Sequence, residues 1–597
     1  MSTFQVDLRG MVDLLSRNLY SGPRVYIREL LQNGLDAIEA RSALDPDCPR
    51  RVTITIEGRT LKCRDSGIGL TEEEAAGLLS TIGASSKRDE LGMARSDFLG
   101  QFGIGMLSCF MISDSITVYS RSAKSANSPT VIWQGKTEGT YTTQPLGPGD
   151  PHNLGEPGTE VVLEAHPGEP WIDPDTVGAL VDEFASLLPI SIEVRSDSAA
   201  TFHGNETPVW ELEPAAQQQW CDEHLGSAGM DIIPIDVPAA GVKGIAIVSQ
   251  RPNALSSDHH TVYAKRMLVS RACEGIVPQW AYFVRFIGNS NYLRLTASRE
   301  QLSDDELLEN TRQAIGSSIR QWLEDMAEHS PSRFNDFISI HAMGLRAVAV
   351  RDPYMLDLTA RYVPLESTVG SFPLLDLLAS HESIRYTRTV DQYRALADVA
   401  ASQSMVLVNA GYAYDEELIN ALLTDPRYSS IAQKIRLVDP SELLDAFEEC
   451  TLSEQAEAMD LMLIAAQAID PSDCEVVLRR FTPLTLPALY LPDPDFAGRH
   501  VQRNSQAQAS KMWAGIMGVS DPFANSKPPR LVLNRSNSLI TRLIHASSVP
   551  QTASNVLRGL YVQSLLAGRQ TLGPKERAWA AQLLGSLLDS ALDDTSN

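Results

Sequence analysis

No stretch of the 597 residues runs for about 18 apolar positions without interruption, so the sequence predicts no membrane span. The chain does not open on a basic region followed by an apolar run, so no secretory signal is expected. Positive charge is scarce: Lys and Arg number 50 against 75 Asp and Glu, a formal net charge of −25. Affinity for nucleic acid rests on neutralising phosphates with Lys and Arg, so a nucleic-acid partner is not expected, although a local basic stripe is compatible with the total. The seven cysteines, at 48, 63, 109, 221, 273, 450 and 474, show no paired spacing. Such a set reads as reduced thiols in a reducing, cytoplasmic compartment, with no disulfide framework or structural metal expected. Two familiar phosphate-binding signatures are also missing. Gly83-Ala-Ser-Ser-Lys87 lacks Walker A spacing, and Gly100-Gln-Phe-Gly103-Ile-Gly105 neither follows a strand directly nor matches the dinucleotide fingerprint. An apolar content of 43% suffices for several cores, and the length predicts about three or four domains.

What is present is a set of three short runs within the first 105 residues. The first, Glu29-Leu-Leu-Gln-Asn33-Gly-Leu-Asp36, lies in an amphipathic pattern that starts after the Ser21-Gly22-Pro23 break. Glu29 and Asn33, four apart, share a helix face, and Asp36 lies one turn further. A carboxylate there can orient or deprotonate water, and a carboxamide oxygen can ligate magnesium. The plain alternative is a solvated polar face with Glu29 paired to Arg28 or Arg41. The second run, Asp65-Ser-Gly67-Ile-Gly69, follows two strand signals, Val52–Ile56 and Thr60–Cys63. A carboxylate at the base of a pocket accepts from an exocyclic amine such as that of adenine, and the glycines clear room for a flat ring; an ordinary Asp-Ser-Gly turn is the alternative. The third run, Gly100 to Gly105, precedes an apolar helix signal over Met106–Ile112, where exposed N–H groups and the helix dipole favour an anion. The polar stretch between the second and third runs reads as a lid. In this order the runs imply a pocket for ATP and Mg2+.

Together they resemble the N, G1 and G2 boxes of the GHKL ATPase superfamily, which includes type II topoisomerases, MutL proteins, histidine kinases and the heat-shock-protein-90 chaperones. The chaperones fit best, on Arg28-Glu-Leu-Leu-Gln-Asn-Gly-Leu-Asp-Ala37 and Leu99-Gly-Gln-Phe-Gly-Ile-Gly105. Downstream, Gly158-Thr159-Glu-Val-Val-Leu163 is similar to the strand that closes their nucleotide pocket. Val262–Val269, Ile276–Trp280 and Leu295-Thr-Ala-Ser298-Arg299-Glu300 follow one another as in their middle domain.

The resemblance implies an α+β protein with three parts: a Bergerat-type ATPase α/β sandwich over 1–205, an α/β middle domain over 206–450, and a mostly helical C-terminal dimerisation domain over 451–597. It implies that Glu29 aligns the attacking water and that Arg299 reaches the γ-phosphate. Nucleotide contacts then fall to Asn33 (also on magnesium), Asp36, Asp65, Gly67, Gly69, Lys87, Thr159 through water, and the loop Gly100, Gln101, Phe102, Gly103, Ile104, Gly105 and Met106. The implied function is an ATP-dependent dimeric chaperone clamp, cytoplasmic and stress-linked, acting on non-native proteins. The lack of an acidic Met-Glu-Glu-Val-Asp tail and of a long charged linker implies a bacterial type. Three departures stand out: Ala84 replaces a usual lid lysine, Met106 and Leu107 replace an aromatic pair, and Ser303 replaces a glutamine. Ala84 and Ser303 leave room for a non-cycling partner protein of the same fold, beside the DNA-acting alternative that charge disfavours.

Between these motifs the sequence predicts a strand over Leu188–Val194, a polar linker over 197–208 and a helix near Glu306–Glu328. A strand–helix–strand piece follows over Met405–Val438 and reads as scaffold. Further on come a helix over 453–468, an exposed proline-rich loop over Pro483–Pro494, a polar run over His500–Ser510, and C-terminal helices with leucine stripes.

Overall fold

Val52, Ile54 and Ile56 alternate with polar residues, and strand β1 (Arg51–Glu57) buries that set on one face. Gly58, at φ +61°, turns the chain into β2 (Thr60–Asp65), which pairs antiparallel with β1. The computed structural model describes residues 22–79, 105–125, 127–197, 199–226, 229–252, 260–296, 298–492, 528–568 and 570–594. It divides into two units, one ending at His341 and the other beginning at Ala342.

In the first unit, β1 and β2 belong to an eight-stranded sheet with β3 (Ser113–Arg121), β4 (Thr130–Lys136), β5 (Tyr141–Pro145), β6 (Gly158–Ala165), β7 (Ser191–Arg195) and β8 (Ala200–His203). Its order is β5-β4-β3-β6-β2-β1-β7-β8. Helices α1 (Val25–Ser42) and α2 (Pro174–Ala185) share one core with it: Ile27, Leu31, Leu35 and Ile38 of α1 meet Val177, Val181 and Phe184 of α2 and Ile54, Leu61 and Leu163 of the sheet. Two expectations are corrected here, and one alternative falls away. The stretch read as a polar linker contains β8, which pairs with β7 along the sheet edge. The apolar stretch after Gly105 is a 3₁₀ helix over Gly105–Met111 rather than an α-helix. There the Ser108 hydroxyl donates to the Gly105 carbonyl and the Ile112 N–H to the Cys109 carbonyl, both three-residue spacings. Finally, the plain alternative of a solvated polar face on α1 does not hold, because Arg28, Glu29, Gln32 and Asp36 are all buried.

A second sheet of the same unit holds β9 (Asp231–Val237), β10 (Val242–Val248), β11 (Thr261–Ala264), β12 (Met267–Ser270) and β13 (Val284–Ser290), in the order β12-β11-β13-β10-β9. Its β11–β12 hairpin carries Met267, Leu268 and Val269 into the α1–α2 core, so the two sheets share packing. After β13 the chain makes a tight loop closed by a bridge between Leu295 and Leu302. It then enters α3 (Glu306–His329), whose N-terminus is capped by the Asp305 carboxylate accepting from Leu308 N at 3.0 Å.

The second unit has a five-stranded sheet in the order β15-β14-β17-β16-β18. Its strands are β14 (Pro364–Ser367), β15 (Gly370–Pro373), β16 (Ile384–Thr387), β17 (Val406–Asn409) and β18 (Ile435–Leu437), the last three parallel and joined through α4 (Val390–Ser402) and α5 (Asp415–Thr424). The helix expected over 453–468 is two, α6 (Leu452–Glu457) and α7 (Met459–Ala468), the first opened by a capping box between Thr451 and Glu454. A three-stranded sheet follows in the order β19-β21-β20: β19 (Glu475–Arg479), β20 (Ala488–Leu491) and β21 (Arg530–Asn534). Strand β20 corrects the proline-rich loop: Ala488, Leu489 and Leu491 are buried in a pairing with β21. Helices α8 (Ser538–His545), α9 (Pro550–Ala567) and α10 (Pro574–Asp594) finish the described chain. Leu557, Leu560, Tyr561 and Leu565 of α9 pack into the core of their own unit with Leu461 and Ala465, whereas Leu584 and Leu588 of α10 are exposed. No described helix is long and apolar enough to cross a membrane.

Candidate functional site

Two clusters gather on α1. The first is built where α1 meets the ends of β2 and β6. Asp65, half-buried at the end of β2, accepts from Gly67 N at 2.7 Å and from Thr159 N at 3.2 Å through one oxygen, Oδ1. Burial pushes its carboxyl up to about 6, against the pull of those two N–H donors. A Cβ on Gly67 would lie 2.4 Å from Ala37 Cβ of α1, so only glycine lets this turn press against the helix. The same turn donates Ile68 N to the Ala37 carbonyl at 2.9 Å. Gly69, at φ +64°, lies against the Arg121 carbonyl at the end of β3. Thr159 on β6 faces Ser120 on β3, with their hydroxyl oxygens 2.8 Å apart. A carboxylate and two hydroxyls thus converge at one end of the sheet, a donor set suited to an amine-bearing ring.

The second cluster joins α1 to the loop after β13. Arg299, at the tip of that loop and at φ +59°, turns its guanidinium onto α1. There Nη1 donates to Glu29 Oε2 and to Gln32 Oε1. Beside it, Arg28 Nη2 donates to the Ser298 carbonyl at 2.7 Å and lies 3.6 Å from Glu29 Oε1. Arg299 is 5% exposed and Glu29 1%, so this ion pair is withdrawn from solvent. Gly105 completes the cluster: a Cβ there would sit 2.2 Å from Glu29 Oε2. Of the two alternatives weighed for Glu29, the Arg28 partnership is present; the guanidinium of Arg41 goes instead to the Ser66 carbonyl at 3.0 Å.

Asn33, half-buried, and Asp36, buried, lie further along the same helix. Met106 packs partly buried against the α1 core. Lys87, Gly100, Gln101, Phe102, Gly103 and Ile104 lie outside the described residues, as does Ala84. Cys63 and Cys109, near the site, behave as small buried apolar groups; burial pushes the Cys109 thiol up to about 12. Among the described residues no group of three or more His, Cys, Asp or Glu is arranged to hold a metal ion.

Gln32 and Ser120 carry no role in the sequence reading, and Arg28 enters it only as a possible partner of Glu29. Ser120 had a readable signal, since it follows Ile116 and Val118 on the inward alternation of β3, where an apolar residue is expected. Gln32 had none, because its burial depends on a loop 267 positions away.

Comparison with known proteins agrees with the family read from the motifs. A family model described as Hsp90 protein matches residues 248–357. The chaperone protein HtpG of Yersinia pestis is 27% identical over 444 residues, spanning 66% of this chain and 69% of that protein. HtpG of Cronobacter sakazakii is 27% identical over 409 residues, with coverage of 61% and 64%. HtpG of Pectobacterium atrosepticum is 28% identical over 377 residues, with coverage of 56% and 59%. The chain is thus similar to the HtpG chaperones, and its residues 248–357 match the Hsp90 family model.

Proposed function

We propose that this protein is an ATP-dependent molecular chaperone, a homodimeric clamp in which ATP hydrolysis drives the handling of non-native proteins. The observation that carries the reading is the buried pair between Arg299 and Glu29, 270 positions apart in sequence. A guanidinium buried beside a carboxylate has a clear use in phosphoryl transfer, where the carboxylate orients water and the guanidinium stabilises charge on the transferring group. At the other cluster Asp65, with Thr159 and Ser120, suits the adenine end of ATP. The donor types present also fit magnesium: the Asn33 carboxamide oxygen is a hard ligand, and the ion, when bound, neutralises phosphate charge. Asp36 lies one turn beyond Asn33 on the same helix and is assigned to the nucleotide contacts with it. Gly67 and Gly105 keep the two clusters open by carrying no side chain. The net charge of −25 disfavours the DNA-acting alternative.

The expected result for the chaperone activity is that the purified protein slows aggregation of a thermally unfolded enzyme, and that ATP changes the extent of protection. Light scattering checks it. Protection that is absent with and without ATP contradicts the proposal.

A further inference from the structure

We propose that Gln32 is a positioning residue for Arg299, so that a neutral carboxamide on α1, and not only the Glu29 carboxylate, sets where the guanidinium sits. The inference rests on the reading of Glu29 and Arg299 as the hydrolytic pair and adds to it a residue that the motifs did not mark.

Arg28, Glu29 and Gln32 occupy adjacent positions on one side of α1, Arg28 and Gln32 being four apart. All three are 2% exposed or less. Polar side chains buried to that degree need partners, and the partners here come from two successive residues of one loop. Arg28 Nη2 holds the Ser298 carbonyl at 2.7 Å, while its guanidinium lies 5.7 Å from the centre of the Phe184 ring. Gln32 Oε1 and Glu29 Oε2 both accept from Arg299 Nη1. Arg299 adopts a left-handed backbone at φ +59°, which a side chain of its kind takes only when its surroundings enforce it. The loop is closed on itself by Arg299 N donating to the Thr296 carbonyl at 2.9 Å and Thr296 N to the Gln301 carbonyl at 3.0 Å. Three side chains of α1 thus form a seat for Ser298 and Arg299 of the loop.

The two acceptors on Arg299 differ in charge, and this gives Gln32 its role. A carboxylate that is to orient water must release the guanidinium, in part, to an incoming phosphate. A carboxamide carries no charge to compete with that phosphate, so it keeps the guanidinium aimed while its ionic partner changes. One hydrogen bond to a charged group is worth about 1.5–3 kcal/mol, or roughly 10- to 150-fold in a rate that depends on it.

The test uses the full chain and four forms: wild type, Gln32→Met, Arg299→Ala and the double variant. Methionine keeps the shape of Gln32 and removes the acceptor; Gln32→Ala serves as a second variant where methionine fails to fold. Steady-state ATP turnover, KM and ADP affinity are read for each, with thermal unfolding beside them. The expected result is a fall in kcat of about tenfold or more in Gln32→Met, with KM and ADP affinity within about twofold of wild type. In the Arg299→Ala background Gln32→Met has no further effect, because the group that it positions is gone. Unchanged kcat in Gln32→Met, or an equal further loss in the double variant, overturns the inference while leaving the hydrolytic reading in place. A wild type without turnover overturns both.

Discussion

Asp65→Asn loses ATP binding by about 100-fold or more while the protein stays folded. Both hydrogen bonds that Asp65 makes to the backbone, from Gly67 N and Thr159 N, run to Oδ1. An asparagine oxygen at that position can accept both, so the turn and the β2–β6 junction persist. The second carboxylate oxygen becomes an NH2 group, which opposes its own donors to the amine of adenine. The pH dependence separates the roles further. Burial raises the Asp65 carboxyl from its ordinary 3.8 to about 6, so the fold favours its neutral form. Its contribution to stability is fully present below the ordinary value and is lost as pH rises through about 6. At pH 7.5 the ligand-free fold therefore carries an ionised carboxylate against its own preference, and Asp65→Asn leaves the unfolding temperature unchanged or raises it. Nucleotide binding runs the other way, weakening in the wild type as pH falls through about 6. Calorimetric titration with ADP at pH 5.5 and 7.5, beside thermal unfolding of both forms, checks the set. Normal binding by Asp65→Asn removes Asp65 from the site.

The second large effect is at Glu29. Glu29→Gln keeps nucleotide affinity and lowers hydrolysis at least about 100-fold, the usual contribution of a positioned general base. Glutamine is the more informative replacement because Glu29 has a structural task as well, and glutamine keeps an acceptor oxygen for Arg299. It is 1% exposed and pairs with Arg299 at 5%, so Glu29→Ala leaves a buried guanidinium without its carboxylate, at a cost of about 3–5 kcal/mol. Glu29→Ala is accordingly expected to lower the unfolding temperature as well as turnover; Glu29→Gln also removes the countercharge but keeps an acceptor oxygen for Arg299, so it lowers the unfolding temperature less. Single-turnover hydrolysis and ADP binding on the same preparations check this, and a Glu29→Gln variant that hydrolyses at the wild-type rate excludes Glu29 as the base.

The parts legible in the sequence were those whose structure is local. Alternation over Val52–Ile56 became β1, the Asp415–Thr424 pattern became α5, and the Gly67 turn lies against the helix that carries the first motif. Arg299 was marked by its resemblance to a family motif, since nothing in Ser-Arg-Glu alone foretells a contact with residue 29. The misreadings share one cause: local polarity says little about what tertiary contacts will cover. Arg28, Glu29 and Gln32 are polar enough for a solvated helix face until the loop at 298–299 and α2 cover them. Ala200–His203 looks like a linker until the β7 edge recruits it, and Ala488–Leu491 hides among prolines until β21 pairs with it.

The most direct measurement is steady-state ATP hydrolysis by the purified wild type beside Arg299→Ala, with nucleotide binding recorded for both. Slow turnover in the wild type, falling by about 100-fold or more in Arg299→Ala with ATP still bound, is the expected result. A wild type that binds ATP without hydrolysing it, or an Arg299→Ala variant that hydrolyses at the wild-type rate, would contradict it.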